Sequence, residues 1–387
     1  MHTTQEPVDR GMVVPSPLGW QPIRAGRRRL WRWVLGLVAV LVIAYVALNS
    51  ITVPYYGLLP GNAVPVNGKD GAITVGSVHA GSGDLFLTDV LLQPRITVWD
   101  RLTDFMHPEN DIVPTVVVTG GASTTQYNQE NTAAMANSQE DARVAALRRL
   151  GYVVTEQGDG AAVVEVAEGT PAASELRPGD VITEADGKPV KLASDLTGVI
   201  SALKAGDNID LSVRRPDGAR ASALQLTVGT VACGSRCPGA PLRPLMGIEV
   251  STDNQSFAFP KTVSLTISTT GIGGPSAGLA FTLGAIDALT THDITGGHRV
   301  AATGTIDPDG NVGDVGGVKQ KTIAVIRDHC QYFIVPRVEY ATAEAQAKGH
   351  HLTVVPVDTL EQALTFLRSI NGNLSGVPAT APAPAPQ

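Results

Sequence analysis

The sequence predicts a mixed α/β protein: a small, mostly β domain followed by a larger α/β domain, both behind one N-terminal apolar helix. Three observations predict it. Residues Trp33 to Leu48 carry no charge and follow a cluster of arginines. Residues 155–229 alternate short strands and turn signals around a single amphipathic helix. From Leu242 to residue 371, strand-like and helix-like segments alternate, the pattern of α/β architecture.

At 387 residues the chain is long enough for two or three domains, and its 43% hydrophobic content supplies their cores. With 29 Lys and Arg against 36 Asp and Glu the net charge is −7, which argues against nucleic acid as a partner. The one basic cluster, Arg24, Arg27, Arg28, Arg29 and Arg32, abuts the apolar run. Residues 1–29 therefore read as a cytoplasmic tail and residues 30–53 as a transmembrane helix, since about 20 apolar residues span a bilayer. Arginines before the span stay inside, which places everything after it outside the cytoplasm. Trp31, Trp33 and Tyr45 suit interfacial positions. A cleaved signal peptide shares this order of charge and hydropathy, but the pairs Tyr45/Ala47 and Leu48/Ser50 make poor cleavage sites, so the expectation is a retained single-pass anchor.

After the span, residues 54–154 read as a β segment ("GAITVGSV", "GDLFLTDVLLQ") and a long helix over "STTQYNQENTAAMANSQEDARVAALRRLGY", capped by Ser123 or Thr124. Residues 230–241 form a Gly/Pro-rich linker, and 372–387 a Pro/Ala-rich tail without a core. The linker holds Cys233 and Cys237, candidates for a local disulfide outside the cytoplasm; Cys330 is left as an odd, buried thiol. No metal-ligand pattern accompanies them, and no cofactor is implied.

Within 155–229, strands are expected at 162–166, 181–185 and 209–214, with a helix over 192–203. "RPGDVITEADGKPV" resembles the signature of PDZ domains, with Gly179-Asp180 opening a strand and Asp186-Gly187 closing a hairpin. PDZ domains bind extended peptides by strand addition at a sheet edge. By this resemblance the groove lies between the strand bearing Gly160, Ala161, Val163 and Val164 and the helix bearing Leu192 and Leu196.

The most chemically pointed stretch is "GIGGPSAGLAFTLGAIDALT", where Ser276 sits between glycines at the start of an apolar helix. Gly274 to Gly278 formally match G-x-S-x-G, the nucleophile elbow of α/β-hydrolases, but that motif needs a strand running into the serine and "STTGIGG" is a loop. A different base is available. In "GNVGDVGGVKQKTIAVIRDHC", Lys321 shares a helix face with Val318, Ala324 and Val325. Desolvation lowers a lysine's pKa, and the neutral amine can take a proton from a serine hydroxyl. Alone, Lys321 would read as a snorkelling surface lysine.

Together, "GGPSAGLAF" and "TGTIDPDGNVGDVGGVKQKTIAVI" resemble the proteolytic domain of Lon-type peptidases, over roughly residues 242–371. The resemblance implies a catalytic dyad of Ser276 as nucleophile and Lys321 as base, 45 residues apart, with Thr303 holding the lysine and Gly274 and Ala277 flanking the serine. Many family members carry Asp immediately before GPSAG, where this chain has Gly273. No G-x-x-x-x-G-K-[ST] motif occurs, so the ATPase module of Lon is not expected here. The order of anchor, PDZ-like and Lon-like segments is similar to that of bacterial membrane-bound, PDZ-containing Lon-like peptidases. The implied function is an ATP-independent serine endopeptidase acting on extracytoplasmic proteins, with protein or peptide substrates, recruited or gated by the PDZ domain. A homo-oligomeric ring is implied by the resemblance alone. The alternative is a catalytically silent, membrane-tethered PDZ scaffold.

Overall fold

A computed structural model of the chain describes residues 25–68, 71–75, 78–79, 84–204, 206–216, 220–227, 229–231, 243–268, 273–290 and 292–379. Cys233, Cys237, Arg24, most of the linker and the last eight residues fall outside them. The chain divides into two compact units, residues 1–57 with 92–118 and residues 58–91 with 119–387.

The smaller unit is built on helix α1 (Ala25–Ser50). Its segment Leu30–Ser50 is long and apolar enough to cross a membrane, and none of it is buried by the protein. Just beyond it, Thr52–Val53 pairs with Ile96–Thr97. A helix, Val98–Thr103, follows, started by a capping box in which Thr97 and Asp100 satisfy each other's backbone N–H groups.

In the larger unit a twisted sheet carries the main core. Its strands include β1 (Tyr55–Pro65), β2 (Leu85–Gln93), β8 (Val300–Ala302), β9 (Tyr332–Pro336) and β10 (Thr353–Val357), in the order β10-β9-β8-β2-β1. β2, β8, β9 and β10 run parallel. Parallel strands are covered on both faces, so successive residues enter opposite cores. Leu85, Leu87, Val300, Ala302 and Ile334 point to one core; Phe86, Ala301, Phe333 and Val335 point to the other. The first core is closed by helices α2 (Thr124–Arg149), α4 (Gly278–Thr290) and α7 (Leu360–Ser369). The second is closed by α5 (Val318–Arg327) and α6 (Tyr340–Ala347). Phe281 and Phe333 are fully buried, and burial of such a side chain contributes roughly 1.5–3 kcal/mol. α2 starts where its sequence predicts, with the Ser123 hydroxyl accepting the Gln126 N–H.

The second domain is an antiparallel sheet of β3 (Ala161–Val166), β4 (Val181–Ala185), β5 (Asn208–Arg214), β6 (Arg220–Thr227) and β7 (Ile248–Thr252), ordered β6-β5-β4-β3-β7, with helix α3 (Ala193–Ser201) against it. Its own core includes Ala161, Ile182, Leu196, Ile209 and Leu211. The β4 hairpin turns on Asp186 and Gly187, both at positive φ (51° and 73°), as the Asp-Gly pair predicts.

Two boundaries read from sequence are corrected. Residues 54–154 are not a separate N-terminal segment: residues 58–91 and 119–154 supply parts of β1 and β2, and α2, to the same core as Ser276's helix. The small β domain is thus an insertion in the larger one. The strands entering and leaving it, Thr155–Gln157 and Ser256–Ala258, pair with each other and form its neck. Likewise β7 was expected in the 242–371 domain and instead completes the β-domain sheet by pairing with β3. Local periodicity reports that a segment is a strand and says nothing of which distant strand it pairs with.

Candidate active site

Ser276 lies in a single 3-10 turn, Pro275–Ala277, that runs directly into α4. The sequence places it at the start of the α-helix; the structure places it one tight turn earlier, half-buried, with Ala277 fully buried beneath it. The turn is set by Gly274, whose φ of 86° is left-handed and unfavourable for any side chain, and by Pro275, whose fixed φ suits a first helical position. Helix α2 holds the turn from outside. Gly274 N–H donates to the Asn131 carbonyl at 3.3 Å, and the buried Ser138 hydroxyl donates to the Pro275 carbonyl at 3.0 Å.

The Ser276 carbonyl is fixed from the other side by the loop after β8. It accepts the Gly304 N–H at 3.0 Å and the Thr303 hydroxyl at 3.1 Å. Thr303 Oγ1 in turn accepts from Lys321 Nζ at 2.9 Å. A hydroxyl has one hydrogen to give. Because Thr303 spends it on Ser276, the lysine must donate to Thr303, and its lone pair, once it is neutral, is left for another proton. The chain Lys321–Thr303–Ser276 therefore brings three of the residues expected from sequence into one hydrogen-bonded line.

Lys321 is 2% exposed on the buried face of α5. Burial pulls its pKa down to about 7, against the opposing influence of the Asp89 and Glu339 carboxylates. Burial also raises the Glu339 carboxyl, and Asp314 adds to that rise while Lys321 opposes it. α5 is started by Gly317, in left-handed conformation at φ 70°, where an added Cβ would lie 2.7 Å from Val90 Cγ2 of β2. The distant strand β2 thus sets the helix start and brings Asp89 to the lysine.

Asp89, Glu339, Asn131 and Ser138 escape the motif-based reading. Asp89 had a signal: a carboxylate in the apolar strand "LFLTDVLLQ" asks for a partner. Among the described residues no group of three or more His, Cys, Asp or Glu side chains is arranged to hold a metal ion. Cys330 is buried, and burial pushes its thiol up to about 11, which leaves it unreactive.

The expected peptide groove is corrected. β3, with Ala161, Val163 and Val164, is paired on both edges, to β4 and to β7, so no strand can add to it. Ala161 and Val163 are core residues, as are Leu192 and Leu196, and Gly160 at φ 143° packs on Val181 and Ile182. The edge left to the sheet on this side is that of β7, which lies beside α3.

Comparison with known proteins finds a family for each domain. The model of the Lon protease (S16) C-terminal proteolytic domain matches residues 262–368, and that of the PDZ domain matches residues 149–227. The chain therefore carries a PDZ domain and a Lon-type proteolytic domain, the combination of a PDZ-containing Lon-like peptidase. Among curated relatives, the Lon protease of Neorickettsia sennetsu is 30% identical over 95 residues, 24% of this chain and 11% of that protein. A probable periplasmic serine endoprotease DegP-like of Pseudomonas fulva is 42% identical over 77 residues, 20% of this chain and 16% of that protein. The matched part thus spans about a tenth to a sixth of these relatives. Among solved structures, the PDZ domain of the SdrC-like protein of Listeria monocytogenes aligns with TM-score 0.21 and 26% identity, over 24% of this chain and 87% of that one.

Proposed function

We propose that the protein is an ATP-independent serine endopeptidase, anchored in the membrane by α1 and acting on proteins outside the cytoplasm. Ser276 is the nucleophile and Lys321 its general base. The observation that carries this is the buried lysine, with its pKa drawn to about 7 and its Nζ–H committed to Thr303, beside a serine whose backbone the same threonine holds. A scaffold has no use for so costly a burial. Near pH 7 a large fraction of the amine is neutral and accepts the Ser276 hydroxyl proton as Oγ attacks the substrate carbonyl. The resulting ammonium gives that proton to the leaving amine, and the acyl-enzyme is hydrolysed by water activated in the same way. Backbone N–H groups at the turn before α4 supply the oxyanion contacts. The PDZ domain takes an extended peptide along the outer edge of β7, beside α3, where backbone pairing supplies the attraction.

Cleavage of casein by the full chain in detergent, without ATP, tests the assignment. Ser276→Ala and Lys321→Ala are expected to reduce it to background while the protein stays folded. Wild-type cleavage by either variant would remove the dyad from the account.

A further inference from the structure

The smaller unit exposes an apolar surface that the peptidase reading leaves unused. Three links tie it to the end of α1. Thr52–Val53 pairs with Ile96–Thr97; Val98 N–H donates to the Ile51 carbonyl at 3.0 Å; and Thr115 N–H donates to the Pro54 carbonyl at 3.0 Å. Leu30–Ser50 has 21 residues, about 31 Å at 1.5 Å per residue, which matches a hydrocarbon core of about 30 Å. All three links therefore fall within four residues of where the span leaves the core. The Trp99 ring meets Tyr45 edge-on with centroids 5.1 Å apart. Tyr45 lies five residues before Ser50, about 8 Å back along the helix. The segment after residue 97 thus reaches back along the last turns of the span.

That segment is amphipathic. Helix Val98–Thr103 continues into the 3-10 turn Asp104–Met106. Trp99, Leu102, Phe105 and Met106 recur at helical spacing on one side, while Asp100 is used in the cap and Arg101 pairs with Asp104 at 3.6 Å. Leu102 is 57% exposed, Phe105 82% and Met106 63%; on the helix started at Thr115, Val116 is 61% and Val117 70% exposed. Apolar exposure of this extent on so short a segment marks a contact surface.

We propose that residues 99–117 form an apolar foot that enters the interfacial layer of the outer leaflet beside the anchor. The occupant is lipid because the foot is continuous with a span that no protein covers, and because its aromatic and aliphatic content is that of interfacial helices. Residues 92–118 contain two arginines and four carboxylates, so attraction to anionic headgroups plays no part and neutral phosphatidylcholine suffices. This inference rests on the reading of α1 as a retained membrane span.

The test uses the full chain with Cys233→Ser and Cys237→Ser, reconstituted in phosphatidylcholine vesicles; buried Cys330 stays unlabelled. Nitroxides are attached singly through Phe105→Cys or Val117→Cys, with Val40→Cys in the span and exposed Val164→Cys as references. Relaxation by oxygen, enriched in lipid, is compared with relaxation by a water-soluble nickel chelate. Labels at 105 and 117 are expected to favour oxygen, at shallower depth than 40, while 164 favours the chelate. If 105 and 117 match 164 while 40 remains in lipid, the foot is wrong and the anchor stands. Shielding of 105 and 117 from both reagents means that protein covers them, which also overturns the proposal. A label at 40 reached by the chelate removes the anchor and the foot together.

Discussion

In the proposed mechanism, Lys321 makes stability and chemistry depend on the same proton. Its pKa is about 7 when folded and near its ordinary value of 10.5 when unfolded. Between those values the unfolded chain binds more protons than the folded one, so this group's contribution makes stability rise as pH goes from 7 to 10.5. Below 7 both states are charged and the full cost of burying the ammonium, on the order of 5 kcal/mol, is felt. Lys321→Met removes that cost. In urea unfolding of the full chain, the variant is expected to be more stable than wild type at pH 6, with the gap closing toward pH 10. A gap independent of pH would mean the amine is solvated. Thr303→Val keeps the shape and removes both hydrogen bonds of the bridge. Misplacing a reacting group by about 1 Å can cost on the order of a hundredfold. The expected result is a kcat reduced roughly tenfold to a hundredfold with KM little changed; an unchanged kcat would make the threonine a packing residue only.

At the scale of elements, the proposed active site depends on where α5 begins. Gly317→Ala puts a Cβ 2.7 Å from Val90 Cγ2 at a backbone φ of 70°, so the helix start and Lys321 must shift. Activity is expected to fall with little change in helix content, and Val90→Ala in the same chain should restore part of it. No rescue would place the effect in backbone strain alone. The elements near the motifs were legible: α5 buries Val318, Lys321, Ala324 and Val325 on one face as the 3.6-residue pattern predicts, and Ser123 caps α2 as its position implies. Ser276 was mislocated by one turn because Gly274 and Pro275 favour a 3-10 start, which apolar periodicity does not register. The β3 groove failed for another reason. Its resemblance identified a PDZ strand, but the neighbour on its open side, β7, arrives about 80 residues later, from a segment that reads as part of the next domain.

The larger unit is a Lon-type proteolytic domain opened in the middle to admit a PDZ domain. Because Thr155–Gln157 and Ser256–Ala258 pair at the neck, the insertion's two ends already lie side by side. Replacing residues 158–255 with a short Gly-rich turn is expected to leave a folded chain that still cleaves casein without ATP; failure to fold would show that the PDZ core stabilises the peptidase core. The sequence revealed both domains, since each motif is local. It concealed the insertion, because β2 pairs with β8, more than 200 residues away. In the proposed mechanism a neutral Lys321 activates Ser276. The most direct measurement is the pH dependence of kcat/KM for a fluorogenic casein peptide with the full chain, pH 5 to 9, wild type beside Lys321→Met. The wild-type rate is expected to rise through a single ionisation at about 7, with the variant at background throughout. A flat wild-type profile, or a variant that follows the wild-type curve, would contradict it.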